Sequence, residues 1–236
     1  MLQNREALVE SYFPLDRTAL TERTYAVLKD RILTRRIEPG TRVSVPEIAA
    51  ALGVSRTPVT DALKRLATEG LVEIIPRRGT FVTGLSADDV CELFDIRLLI
   101  ESHAIDAIIG GGRAGDYVQA VSEAMARMRQ AMVDGDYGDY ETFVAGDREL
   151  HMTMVEMTHN QRLLEIYTDL NVHIQVARAH YLDSVENAQQ AYQEHESILA
   201  GFRAGSGEQV KAALRSHISN VKDRMLDLLA QHGGAL

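Results

Sequence analysis

Asp147-x-x-x-His151 sets a carboxylate and an imidazole one helical turn apart, and Phe143, Leu150, Met154 and Thr158 share their face. Tyr192, His195, Leu199 and Phe202 form a second stripe of this kind, and Val210, Leu214, His217 and Val221 a third. Three helices therefore each turn metal-ligand types toward the core, in total one carboxylate and three imidazoles. Buried polar groups need partners, and a divalent cation satisfies all four at once. A single histidine would be as well explained by a hydrogen bond in the core; it is the set that points to an ion. Nitrogen and oxygen donors in this mixture suit zinc, nickel, manganese or iron about equally. His103, His159, His173, His180 and His232 follow no such pattern, though His173 could approach the same cavity.

Arg97 is a second candidate. Val90, Leu93, Arg97, Ile100 and Ala104 recur at spacings of three and four, which sets a guanidinium in an apolar seam where it needs an anionic partner. That partner is either the carboxylate of a bound effector or an internal acid, and Glu101 is placed to hold Arg97.

The third stretch is "GVSRTPVTDALKRLATEGLV", residues 53–72. Ser55 can cap a helix with Pro58 in its first turn. Val59, Ala62, Leu63, Leu66 and Ala67 make one apolar face, leaving Arg56, Thr57, Thr60 and Lys64 on the other. Arg at the start of such a helix can grip guanine O6 and N7, and the Ser55 and Thr57 hydroxyls with the helix-start N–H groups suit a phosphate. Arg77, Arg78 and Gly79 form the tip of a hairpin between "LVEII" and "TFV", placed to reach the DNA backbone or minor groove.

These residues need elements to hold them. A helix over Tyr25–Arg36, with Val27, Leu28, Ile32 and Leu33 at helical spacing, ends at Pro39-Gly40. Ser44 and Glu47 read as a capping box with Pro46 in the first turn of a second helix that runs to Gly53. The recognition helix and the hairpin follow. Three helices and a hairpin in about 60 residues are a winged helix-turn-helix. After Gly84 the pattern is wholly helical: Ser86-x-x-Asp89 opens a helix to about Ile109, broken by Gly110-Gly111-Gly112, and further helices fit about 115–134, 138–158, 161–183, 187–204 and 207–231. The expected fold is mainly α, in three parts: a loose arm over 1–20, the winged helix-turn-helix over 21–84, and an all-helical bundle over 85–236.

Charge separates the same parts. Of 236 residues with a net charge of −9, residues 1–84 carry a balance of +3 and residues 85–236 a balance of −12. A basic reader of nucleic acid joined to an acidic partner unit fits that split. The lone cysteine, Cys91, rules out an intrachain disulfide, the charged start "MLQNREALVESYF" has no apolar signal region, and no apolar run is long enough for a membrane helix. A cytoplasmic protein without membrane partners is expected.

"EPGTRVSVPEIAAALGVSRTPVTDALKRLATEGLVEIIPRRGTFV" resembles the DNA-binding domain of the GntR family of bacterial transcription regulators over roughly residues 22–83. It departs from the family at Thr60, where Arg is usual and commonly contacts DNA, and at Pro46, where many members carry a polar or basic residue. "DRELH" with "EHESILAGFRAGSGEQVKAALRSHI" resembles the FCD ligand-binding domain of the FadR subfamily over about residues 86–230. That resemblance implies that Asp147, His151, His195 and His217 are metal ligands. It further implies a homodimer that binds a small carboxylate effector beside the metal and changes its grip on a palindromic operator of double-stranded DNA, as a repressor or an activator. A metal, an arginine and an acidic cavity could instead serve a hydrolase or isomerase with an appended DNA-binding unit. However, a di-iron bundle needs two Glu-x-x-His motifs and only Glu156-x-x-His159 is present, and the chain has no nucleophile elbow, P-loop or dinucleotide loop.

Overall fold

Burial of Tyr25, Leu28 and Ile32 on one face defines the first helix, α1, which spans Arg17–Leu33 in a computed structural model. The structure describes residues 17–34, 36–132, 140–170 and 184–231. Helix α1 begins inside the stretch expected to be a loose arm. Its buried stripe leaves Val27 on the exposed side, since Val27 is one residue off the 25, 28, 32 repeat. Gly40, at φ 75°, turns the chain into a short strand, β1 (Arg42–Val43). Helix α2 (Val45–Leu52) follows and is closed by Gly53 at φ 65°, whose N–H donates to the Ala49 and Ala50 carbonyls. Ser44 occupies the N-cap position in extended conformation, but its side chain makes no cap hydrogen bond, so the expected capping box with Glu47 does not form.

Helix α3 (Arg56–Thr68) buries Val59, Ala62, Leu63 and Leu66, as its period requires. It is fastened to α1 by Glu69, which accepts hydrogen bonds from Tyr25 Oη at 2.7 Å and Lys29 Nζ at 2.8 Å, while the Arg65 guanidinium lies 3.8 Å from the centre of the Tyr25 ring. Strands β2 (Val72–Ile75) and β3 (Gly79–Val82) pair antiparallel, with Ile75 opposite Gly79. The sheet gains a third strand that its two residues did not signal: β1 pairs with β3, Arg42 opposite Phe81, giving the order β1-β3-β2.

The remainder is helical. Helix α4 (Ala87–Gly110) starts with a formed capping box, the Asp89 N–H donating to Ser86 Oγ and the Ser86 N–H to Asp89 Oδ2. The single helix expected over 115–134 is two, α5 (Ala114–Ala120) and α6 (Ser122–Ala131). At the joint the Ser122 hydroxyl donates to the Gln119 carbonyl and competes with the helical ladder. Helix α7 (Tyr140–Glu156) packs along α6 and touches α4. A helix over 161–170, α8, is capped by Asn160, whose Oδ1 accepts from the Leu163 N–H. The rest of the expected 161–183 helix lies outside the described residues, as do His173, His180 and His232. Helix α9 (Val185–Arg203) is capped by Ser184 and packs along α10 (Gly207–Gln231), which packs in turn along α4. The turn between α9 and α10 is tight: a Cβ on Gly201 would lie 2.8 Å from the Val210 backbone nitrogen. Among the described residues no helix is long and apolar enough to cross a membrane.

Candidate functional site

Helix α7 carries Asp147 and His151 on the face that also buries Phe143, Leu150 and Met154. His195 comes from α9 and His217 from α10, each on the stripe its sequence spacing assigned. All four are buried, and one ligand atom from each lies within 4.8 Å of the others. His195 Nε2 is 3.2 Å from Asp147 Oδ1 and 3.3 Å from His151 Nε2. The His151 and His217 rings are stacked with centroids 5.2 Å apart.

The groups behind these histidines set which nitrogen faces inward. Glu101 Oε2 is 2.7 Å from His151 Nδ1, and Glu194 Oε2 is 2.8 Å from His217 Nδ1. A carboxylate there takes the Nδ1 proton in a hydrogen bond, so each Nε2 is left as a lone pair aimed at the cluster. His217 Nε2 is buried and has no hydrogen-bond partner among the described residues. Burial pushes the His217 pKa down to about 4 against the opposing pull of Glu194, which keeps the ring neutral at pH 7. The His151 and His217 lone pairs thus join the Asp147 carboxylate and His195 Nε2 in one group of donors that a positive ion between them would satisfy. Ligands held at about 2.0–2.2 Å from a first-row ion lie up to about 4.3 Å apart, so a few tenths of an ångström of contraction would complete the shell. The residues present therefore fit a divalent ion.

Glu101 joins this cluster to Arg97. Its Oε1 accepts from Arg97 Nε at 2.7 Å and from the Tyr167 hydroxyl of α8 at 2.5 Å, and all three side chains are fully buried. Burial works to lower the Arg97 pKa, but the Glu101 carboxylate overrides it and the net shift is upward, so the guanidinium stays charged. The internal acid accounts for Nε only: Nη1 and Nη2 are buried and have no hydrogen-bond partner among the described residues. Two N–H-bearing atoms of a fork that matches a carboxylate thus remain to be used.

Three participants escaped the sequence reading or were only half seen. Glu101 supports His151 as well as Arg97. Glu194 supports His217 and is held by Asn220 Nδ2 at 2.9 Å and by Arg224 Nη2 at 3.1 Å. Tyr167 completes the Glu101 site. The available signal for Glu194 was its position three residues after Ala191 and four before Ile198, both buried, at the edge of the α9 stripe.

The second constellation lies on α3 and the hairpin. Ser55, Arg56 and Thr57 are exposed at the start of α3, and Arg77 and Arg78 are exposed at the tip. Ser55 takes the N-cap position without a side-chain cap bond, which leaves its hydroxyl and the first helical N–H groups facing outward. Thr60 follows on the same helix face, its hydroxyl donating to the Arg56 carbonyl at 2.9 Å. Lys64 is exposed but stands 3.5 Å from Asp61 Oδ1, which offsets part of its charge. Arg77 has φ 65° and Gly79 φ 129°, so the tip bends through two left-handed positions.

Known proteins share this two-part layout. A family described as the FCD domain matches residues 92–220, and one described as bacterial regulatory proteins, gntR family, matches residues 20–82. A gluconate operon transcriptional repressor from Bacillus licheniformis is 26% identical over 219 residues, covering 91% of this chain and 88% of its own. The fold is shared with a GntR-type transcriptional regulator from Rhodococcus sp. RHA1, with a TM-score of 0.74 at 23% identity, covering 88% of this chain and 97% of that one. A metal-free FCD domain of another transcriptional regulator matches with a TM-score of 0.51 at 17% identity, over 62% of this chain and 98% of its own.

Proposed function

We propose, for a chain that belongs to the gntR family of bacterial regulatory proteins and carries the FCD domain of its FadR-like branch, that a small organic acid controls its grip on DNA through the buried site. Like its relatives, the protein is a DNA-binding transcription regulator and not an enzyme, so the hydrolase or isomerase reading is set aside. The single observation that supports the proposal is the continuous buried network from Arg97 through Glu101 to His151, with the two Arg97 Nη atoms left without partners among the described residues.

In this reading Asp147, His151, His195 and His217 hold a divalent ion: zinc, nickel, manganese or iron. When bound, the ion supplies a Lewis-acidic position for a carboxylate oxygen. Arg97 takes an effector carboxylate in its free fork, and Glu101 keeps the guanidinium charged and aimed. The effector thereby draws α4 toward α7, α9 and α10. It shifts the regulator only by its differential affinity for the two arrangements. A relative named for a gluconate operon is compatible with an effector of the small organic acid class.

In this reading the DNA-binding unit, residues 21–84, meets base edges and phosphates through Ser55, Arg56, Thr57, Thr60 and Lys64 of the recognition helix, and the backbone or an adjacent minor groove through Arg77, Arg78 and Gly79. Residues 85–236 bind metal and effector and pair two copies, so that two recognition helices meet a palindromic double-stranded operator in the cytoplasm. One winged helix covers too few base pairs for tight binding at physiological salt. Metal analysis, effector calorimetry and gel shift on two variants test the reading. His195→Ala is expected to lose metal and effector together and still bind operator; Arg97→Ala is expected to keep the metal and lose the effector. Full effector affinity in metal-free His195→Ala protein would sink the linkage. Light scattering that shows a monomer both free and on DNA would remove the dimer.

A further inference from the structure

The ion pairs of the winged unit sort its cations. Lys29 and Arg65 are tied to Glu69 and Glu22, Lys64 stands beside Asp61, and Arg36 reaches Glu141 of α7. Arg23, Arg31, Arg42, Arg56, Arg77 and Arg78 are exposed, and none has a carboxylate within 4.0 Å among the described residues. Three of these were expected at the DNA. Arg42 was not, because nothing in the sequence placed β1 in the sheet.

The register places it. Arg42 pairs with Phe81, so its side chain stands on the sheet face that also bears Gly79 two residues along β3, and its guanidinium reaches toward the hairpin tip. It lies across Gly79: a Cβ there would stand 2.8 Å from Arg42 Nε and 3.5 Å from Nη2. Gly79 also has φ 129°, a conformation that L side chains rarely adopt. The glycine thus does two things at once: it closes the tip and leaves a seat for an arginine. Glu73 pairs with Phe81 from the other side, and no ion pair joins it to Arg42.

We infer that Arg42 is a third DNA-backbone cation of the wing, seated on Gly79 beside Arg77 and Arg78. It lies on an edge strand away from the recognition helix, so it contacts phosphate and carries no sequence preference. This rests on the proposal that the hairpin approaches DNA, and the test separates the two. Full-length protein is titrated into a random-sequence 30-base-pair duplex, with log K followed against log salt by fluorescence anisotropy. Removing one phosphate-binding cation lowers the slope by about 0.9, or about eightfold in affinity at 0.1 M salt for each wing engaged. Arg42→Ala is expected to lower the slope by that amount and Arg42→Lys to keep it. Gly79→Ala, which displaces Arg42 without removing charge, is expected to weaken binding. Arg77→Ala is the reference. If Arg77→Ala lowers the slope and Arg42→Ala does not, Arg42 only stiffens the sheet and the inference is overturned; the melting temperature of Arg42→Ala would then fall instead. If neither variant changes the slope, the wing does not meet DNA, and the wing assignment fails along with it.

Discussion

Replacing Glu101 by Gln changes almost no volume and strikes the junction of the buried network. Two donors, Arg97 Nε and the Tyr167 hydroxyl, point at Oε1, and His151 Nδ1 points at Oε2. An amide can satisfy only one side. With its oxygen toward Arg97 and Tyr167, its NH₂ meets His151 Nδ1 and forces that nitrogen to accept, which moves the ring proton to Nε2 and blocks the inward lone pair. With the amide turned round, NH₂ faces two donors and Arg97 loses its acceptor as well as its counter-charge. Loss of a carboxylate behind a ligating histidine costs about 10–100-fold in metal affinity, or about 1.4–2.7 kcal/mol. Breaking a buried ion pair at one partner costs about 3–5 kcal/mol of folding stability, because Arg97 stays buried and charged. Competition against a chromogenic chelator measures the first effect and urea unfolding of metal-stripped protein the second. Tyr167→Phe serves as the milder variant, removing one donor to Glu101, with a cost of about 1 kcal/mol and little change in metal affinity. A Glu101→Gln protein that holds metal within about threefold of the parent and unfolds at the same urea concentration would refute the role given to Glu101.

His217 gives the apo protein a pH dependence. Its folded pKa of about 4 lies below the ordinary 6.5, so between those values the unfolded chain binds more protons and stability falls as pH falls. The loss is at most about 3 kcal/mol, complete near pH 4, and should be missing from the urea midpoints of metal-stripped His217→Asn protein. Gly201→Ala should lower stability by about 1–3 kcal/mol, since the new Cβ meets the Val210 backbone at 2.8 Å and backbone yields poorly; an unchanged melting temperature would mean that the α9–α10 turn can open. Arg56→Ala should remove preference for the operator, while Arg77→Ala should weaken binding evenly across sequences and lower the salt slope by about one, both read by gel shift at several salt concentrations. If Arg56→Ala kept its preference, α3 would not be the recognition helix.

Periodicity is local, and the features it governs were legible in the chain. The α3 face, the stripes carrying Asp147, His151, His195 and His217, the Arg97 seam and the Ser86 capping box each depend on residues within a few turns of one another. Features that depend on a neighbour from another part of the chain were decided only by the tertiary structure. The Ser44 side chain has the right type and spacing for a cap and does not make it. Two residues of β1 carry no strand signal and become a strand because β3 offers an edge. Val121 interrupts what composition reads as one helix. The imidazoles follow the same rule. Spacing could direct them inward, but the nitrogen that His151 presents is chosen by Glu101, 50 residues away, and the one that His217 presents by Glu194, 23 residues away. A proton's place on a ring is set by whichever acceptor stands within about 3 Å, and only packing brings that acceptor there.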